Sequence, residues 1–231
     1  MGQDSLPYQH PERIRKMFGS IAGRYDLANH LLSCGIDFYW RKRASEMVAG
    51  HHPKKILDLA TGTGDLALAM QKKMANAEIV GVDVLPEMVE LANRKGVRRT
   101  LVADAMKLPF SDNWFDAVTI AFGLRNLPDY AGAVREMSRV LVSGGHVLIL
   151  EFSLPQMPIL RAIYRLYLHH CLPLLGSFLT KEKSAYDYLG DSIEQFPNGD
   201  AMLRLLEENG FGNAAAESLT GGIVTIYTAE K

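Results

Sequence analysis

Ile56-Leu57-Asp58-Leu59-Ala60-Thr61-Gly62-Thr63-Gly64-Asp65 is an apolar run that stops at two glycines and then opens into a helical pattern. It reads as a strand, a tight turn and a helix. Gly62 and Gly64 admit backbone angles closed to other residues and leave no Cβ between the turn and a ligand. A small-molecule site is therefore the first expectation. Gly62-Thr63-Gly64-Asp65-Leu66-Ala67 also satisfies the G-x-G-x-x-G/A dinucleotide fingerprint, with Asp83 about 20 residues further on, so a NAD-dependent oxidoreductase has to be weighed.

Asp65 separates the alternatives. A pyrophosphate rests on the helix N-terminus, where a carboxylate in the first turn would repel it. S-adenosylmethionine (SAM) carries no phosphate. Its methionine end is a zwitterion and its sulfur a cation, so Asp58 and Asp65 beside the glycines suit it and can help to hold its ammonium. Charge favours SAM over NAD. The dehydrogenase reading also lacks its proton donor, because Tyr227 to Lys231, the only Tyr-x-x-x-Lys, falls at the end of a strand far from the glycine turn. No Walker A sequence, H-E-x-x-H or EF-hand loop occurs, which excludes the corresponding triphosphatases, zincins and calcium modules. No metal is expected.

The chain has 231 residues, 48% hydrophobic and 22% charged, enough for one well-buried core and short for two. A single domain with appendages is expected: a helical cap over 1–50, a SAM-binding core over 51–153, a helical insertion over 154–198, and a C-terminal helix and hairpin over 199–231. The net charge of −1 and the lack of a dense basic run speak against a nucleic-acid partner. Cys34 and Cys171 form no C-x-x-C and read as buried packing residues in a reducing compartment. The N-terminus lacks an apolar h-region, and Leu6 stands where a myristoylation signal needs Ser or Thr. No window reaches the roughly 18 apolar residues of a spanning helix, so a cytoplasmic location is expected.

Along the chain, Met17, Phe18, Ile21, Ala22 and Tyr25 recur at helical spacing between Pro11 and Gly50, a stripe that suits packing, with Tyr25-Asp26 as the part able to face a ligand. Strands are expected at Glu78–Asp83, Leu101–Ala103, Phe115–Ala121 and His146–Glu151, with helices at Leu66–Met74, Pro86–Lys95 and Tyr130–Val142 between them. This alternation argues a doubly wound, mostly parallel sheet. In such sheets ligands bind beyond the carboxyl ends of the strands. Asp83 ends one strand, where it can accept both hydroxyls of a ribose. Asp104-Ala105 ends the next, where the acid either receives the adenine edge or caps a helix. Arg125 and Glu151 stand at two further strand ends, whereas His146 opens its strand and reads as structural. From Leu154 to Thr180, Arg161, Arg165 and His169 repeat every fourth residue as one polar stripe on an apolar helix. That helix is a packing element, a lid over an apolar substrate or a basic face for anionic headgroups. A helix from Ala201 to Asn209 and a hairpin ending in Ile223–Thr228 close the sheet.

Four blocks, Phe18-Gly19-Ser20-Ile21-Ala22-Gly23-Arg24-Tyr25-Asp26-Leu27-Ala28-Asn29, Leu57–Asp65, Phe122-Gly123-Leu124-Arg125-Asn126 and Leu150-Glu151-Phe152-Ser153, resemble the ubiquinone/menaquinone-biosynthesis C-methyltransferases. The likeness covers nearly the whole chain, and the first and third blocks are more specific than the glycine block. It implies a seven-stranded SAM-methyltransferase fold, a polyprenylated quinol as acceptor, and SAM contacts at Thr63, Asp83, Asp104 and Ala105. Demethylmenaquinol is the expected acceptor. A 2-polyprenyl-6-methoxy-1,4-benzoquinol or another small apolar molecule is the alternative. Where the family often has a serine before the third block this chain has Ala121, so any hydroxyl contact to the cofactor there is lost. A homodimer and a peripheral membrane contact are left open.

Methylating a ring carbon needs electron density on it, so the acceptor must be the reduced quinol and preferably its mono-anion. With a phenolic pKa of about 10, by analogy with tyrosine, ionisation at pH 7 costs about 4 kcal/mol at about 1.36 kcal/mol per unit. A fixed cation in a dry pocket offsets part of that, and Arg125 is the candidate; its alternative role is a salt bridge to a cap carboxylate. Asn126 would orient the ring hydroxyl, with a water, Tyr25, Asp26 or Glu151 relaying the proton.

Overall fold

The computed structural model describes Gly19 and residues 30–174 and 183–231. The expected stripe from Met17 to Tyr25, and with it Tyr25 and Asp26, lies outside the described residues. In chain order the elements are α1 (Asp37–Gly50), β1 (Lys55–Leu59), α2 (Asp65–Lys73), β2 (Glu78–Asp83), α3 (Pro86–Lys95), β3 (Thr100–Val102), β4 (Phe115–Ala121), α4 (Tyr130–Val140) and β5 (Leu141–Phe152). They continue with α5 (Pro158–Leu166), which runs into a π turn (Tyr167–Cys171), then α6 (Lys183–Gln195), α7 (Asp200–Glu208), β6 (Gly212–Leu219) and β7 (Val224–Glu230).

The seven strands form one sheet in the order β3-β2-β1-β4-β5-β7-β6, parallel from β3 to β5, with β7 antiparallel to both of its neighbours. β1, β2 and β4 are near-continuous apolar runs because helices cover both faces of the sheet. One face packs on Val134, Met137 and Val140 of α4, the other on Trp40, Ala44 and Val48 of α1 and Leu66 and Met70 of α2. A third, smaller cluster of Tyr164, Leu168, Leu172, Tyr186 and Ile193 joins α5 to α6 beside the sheet. The local signals act as the residues require. Pro86 opens α3 and Gly96, in the left-handed region, ends it; the Asp129 carboxylate caps α4 by accepting from the Gly132 N–H at 2.8 Å.

Three expectations are corrected. α4 stops at Val140 rather than Val142, because Leu141 is already paired with Phe115 and fully buried; β5 therefore runs through Gly144-Gly145, and its register against β4 shifts between Phe115 and Ala117. Cys34 and Cys171 are exposed, not buried. The polar stripe of α5 is not a basic face: Arg161 Nε donates to the Pro155 carbonyl at 2.7 Å, while Arg165 and the His169 ring both meet Glu194 of α6, at 2.9 and 3.3 Å. The outward ridge is apolar instead, with Ile159 76% and Ile163 60% exposed. Among the described residues no helix is long and apolar enough to cross a membrane.

The two glycines of the first turn do different work. Gly62 has φ +57° and open space where a Cβ would stand, whereas Gly64, at φ +88°, would place a Cβ 2.4 Å from Val97 Cγ2 and 3.2 Å from Ala92 Cβ. Gly64→Ala should therefore combine the left-handed penalty with overpacking, about 2–4 kcal/mol in all, and Gly62→Ala about 1–2 kcal/mol. Urea unfolding of both variants checks this, and equal losses would remove the packing role of Gly64.

Candidate active site

The carboxyl ends of β1, β4 and β5 meet where the strand order reverses, the place where open α/β sheets bind ligands. Two cavities lie there, of about 610 and 210 Å³, and both are lined by Ala60, Gly62, Ala121 and Phe122. Ala60 (φ 46°) and Phe122 (φ 57°) are held in the left-handed region, a strain that side chains bear where the surroundings fix them. What permits the close approach is Gly123, whose Cβ would fall 2.6 Å from that of Ala60. The Phe122 carbonyl in turn accepts from Arg125 Nη1 at 2.6 Å and from Asn126 Nδ2 at 3.3 Å.

The smaller cavity gathers five of the expected residues: Gly62, Asp83, Asp104, Ala105 and Ala121. The Asp83 carboxylate accepts from the Gly62 and Leu85 N–H groups, both at 2.9 Å, which ties the end of β2 to the glycine turn. Burial pushes its pKa up and these backbone donors restrain the rise. One N–H on each oxygen leaves acceptor capacity for a pair of hydroxyls. Asp104 lines the cavity, and it caps no helix, because none directly follows it; its Oδ1 accepts from the Met106 N–H at 2.9 Å within a turn. Met88, Leu85 and Ala105 add apolar wall, so the cleft fits a ribose and a flat base.

At the glycine-turn end of the larger cavity, Asp58 is almost wholly buried and accepts from the Thr61 and Thr119 hydroxyls, both at 2.6 Å. Burial raises its pKa to about 6 against those hydroxyls and the nearby Arg41. Thr63 is buried on the same wall and its hydroxyl accepts from Lys95 Nζ at 3.2 Å. Two expectations change here. Asp65 is not a lone acid, because it is ion-paired with Lys95 and has Arg41 and His30 at 3.9 and 3.8 Å; its charge alone does not repel a phosphate. Gly64 lines neither cavity and serves helix packing.

At the far end of the larger cavity stands Arg125, on a 3₁₀ turn (Leu124–Asn126) and 4% exposed. Its Nη1 meets Glu151 Oε1 at 2.6 Å. Glu151 is fully buried and also accepts from the Phe152 N–H at 3.0 Å and the Arg125 N–H at 3.4 Å. Burial pushes its carboxyl up, while the guanidinium and the backbone donors pull it back. The alternative role of Arg125, a salt bridge to a carboxylate, is thus real, and it coexists with a place on the cavity wall. Glu151 is the partner of Arg125 rather than a solvent-facing proton relay. Asn126 lines the smaller cavity, not the larger one as a contact to a ring hydroxyl requires, and its Oδ1 accepts from the Tyr188 hydroxyl at 2.9 Å.

Tyr188 was not foreseen. Its only mark in the sequence is the Tyr186-x-Tyr188 pair within the insertion. Burial pushes Tyr188 up to about 12 and raises Tyr164 further, so both phenols keep their protons at neutral pH. Leu160, Tyr164, Tyr167 and Leu168 supply the wall expected from the 154–180 segment, within its described part.

A model of the ubiE/COQ5 methyltransferase family matches residues 8–231. The sequence is 45% identical over 220 residues to a demethylmenaquinone methyltransferase of Thermus thermophilus, covering 93% of this chain and 100% of that one. It is 45% identical over 228 residues to a ubiquinone/menaquinone biosynthesis C-methyltransferase UbiE of a Geobacter species, covering 95% and 97%. The fold is similar to that of a SAM-dependent methyltransferase from Thermotoga maritima (TM-score 0.67, 17% identity, 94% of this chain and 99% of that chain). It is likewise similar to human N-acetylserotonin methyltransferase in complex with SAM (TM-score 0.66, 18% identity, 98% and 60%).

Removing Arg125 would strand a fully buried carboxylate, so Arg125→Ala should cost about 3–5 kcal/mol, and Arg125→Met with Glu151→Leu should recover most of it. Urea unfolding of the single and double variants decides this; equal losses would mean that the two charges are not coupled. For Asp58 the folded pKa of about 6 lies above the ordinary 3.8, so the native state holds a proton that the unfolded chain releases between those pH values. Stability therefore falls as pH rises through that window. Asp58→Asn should gain up to about 3 kcal/mol at pH 8, from about 1.36 kcal/mol per pH unit, and lose the gain toward pH 4. Thermal melts across pH check the sign.

Proposed function

The chain belongs to the ubiE/COQ5 methyltransferase family, and from that membership we propose that it methylates a ring carbon of a polyprenylated quinol with SAM, converting demethylmenaquinol to menaquinol. Methyl transfer as such follows from the family. The acceptor reading rests on one observation above the others: a largely apolar cavity of about 610 Å³ adjoins the acid-lined cleft and carries a buried Arg125–Glu151 pair on its wall. That room suits an aromatic ring with the beginning of a prenyl tail.

Asp83, Asp104 and Ala105 would hold the adenosine end of SAM, and Asp58, Gly62 and Thr63 its amino-acid end. When bound, SAM supplies an electrophilic methyl group. The protein's share is to place and polarise the acceptor. Arg125 lowers part of the roughly 4 kcal/mol needed to ionise a ring hydroxyl at pH 7, less than an unpaired guanidinium would, because Glu151 balances its charge. Tyr164, held protonated, acts as a hydrogen-bond donor and not as a base, whereas Tyr188 gives its one O–H to Asn126 Oδ1 and offers the acceptor only a lone pair. Asn126 is set by Tyr188 and acts through it. Tyr25 and Asp26 keep the role of proton relay. The cavity walls exclude water from the reacting carbon, and orientation against the methyl donor accounts for the remainder.

α5 carries Ile159 outward, Leu160 and Tyr164 line the cavity, and Ile163 belongs to both surfaces, exposed yet part of the cavity wall. A peripheral contact of that ridge with the cytoplasmic side of the membrane completes the reading, with the quinol drawn from the lipid. The second acceptor, 2-polyprenyl-6-methoxy-1,4-benzoquinol, is favoured by the ubiquinone branch in the names of relatives as similar as those of the menaquinone branch.

Purified protein with SAM should methylate reduced demethylmenaquinol faster than the methoxy-benzoquinol and leave the oxidised quinone untouched. No transfer to either quinol would overturn the reading. Arg125→Lys should lower turnover at least about tenfold while SAM affinity stays within about threefold; parallel losses would make Arg125 structural.

A further inference from the structure

Among the described residues that line the larger cavity, the cationic side chains are Arg125 and Arg41. Arg125 is at the acceptor end and bound to Glu151. Arg41, on the second turn of α1, stands on the side of the glycine turn, near Asp65. Its guanidinium lies 5.4 Å from the centre of the Phe122 ring, and its side chain is only 12% exposed. Nη1 pairs with Asp37, four residues back, which Ser33 and His30 hold in turn, each at 2.7 Å. Nη2 lies 3.9 Å from Asp65 Oδ2, beyond hydrogen-bond reach. The helix that carries it is pinned over the strand ends by Trp40, whose Nε1 donates to Thr220 Oγ1 at 2.8 Å and whose ring packs on Phe122 and Phe152.

A buried cation and a buried anion on one wall, with apolar surface between them and the acceptor, match an α-amino acid head better than any ligand of a single charge sign. Arg41 and Asp58 line the same cavity, together with Thr61, Gly62 and Thr63 of the glycine turn. Lys95 and His30, the other basic side chains beside Asp65, do not line the cavity. We infer that Arg41 binds the carboxylate of the methionine moiety of SAM while Asp58 faces its ammonium, so that α1 closes the donor site as well as covering the sheet. This assignment rests on the reading of SAM as methyl donor.

Calorimetry with S-adenosylhomocysteine and 5′-methylthioadenosine tests it, because the second ligand keeps the nucleoside and sulfur but lacks the amino-acid head. Arg41→Gln should weaken S-adenosylhomocysteine at least tenfold and leave 5′-methylthioadenosine within twofold, with Arg41→Lys in between. Parallel weakening of both ligands, or no weakening of either, would overturn the assignment. Should Arg41→Gln fail to fold, the ratio measured for Arg41→Lys decides in the same way. An unmutated protein that binds neither ligand would bring down the SAM reading itself, and this assignment with it.

Discussion

A buried ion pair organises the strand ends around the larger cavity. Glu151 ends β5 with no access to water, and such a carboxylate is tolerable only beside a cation with its remaining lone pairs filled. Arg125 supplies the cation and its own backbone N–H, and Phe152 supplies a further donor. Because the same guanidinium also grips the Phe122 carbonyl, the pair fixes the left-handed corner after β4 and with it the partition between the two cavities. Shape and charge at the corner between the two cavities thus share one contact.

The glycine-turn end is built on a different balance. Acids there are not left bare. Asp65 is answered by Lys95, Asp37 by Arg41, and Asp58 by two hydroxyls and the field of Arg41. Any preference of this end for a zwitterion over a phosphate would come from the arrangement of paired charges along the wall. A count of carboxylates beside the glycines does not capture it. Asp58 carries the cost of that arrangement, since its ionised form is disfavoured by burial until a cation approaches.

Much of the frame was legible because it follows from periodicity and turn chemistry. β2, β4 and α3 have the bounds that their residues announce, and the strand ends place Asp83, Asp104 and Arg125 on the ligand side without any structure. What escaped depends on tertiary neighbours. Arg41 looks like an ordinary surface partner of Asp37 four residues away, and only the packing of α1 over Phe122 turns it inward. Gly64 reads as a ligand glycine until Val97 is seen against it. Tyr188 has no signature beyond its spacing from Tyr186, and the stripe of Arg161, Arg165 and His169 gave no hint of Glu194 on a helix nearly thirty residues away.

The walls of the two cavities differ in where along the chain they arise. Those of the smaller one come from a single stretch between Ala60 and Pro128, whereas the larger one draws on residues from Leu32 to Ile223. The bond from Trp40 to Thr220 spans 180 positions, and such long-range closures are the slowest to form. On the ribosome, a nascent chain can thus shape the smaller cleft well before the larger cavity exists. The larger cavity becomes complete only when the final hairpin has emerged and folded back onto the first helix.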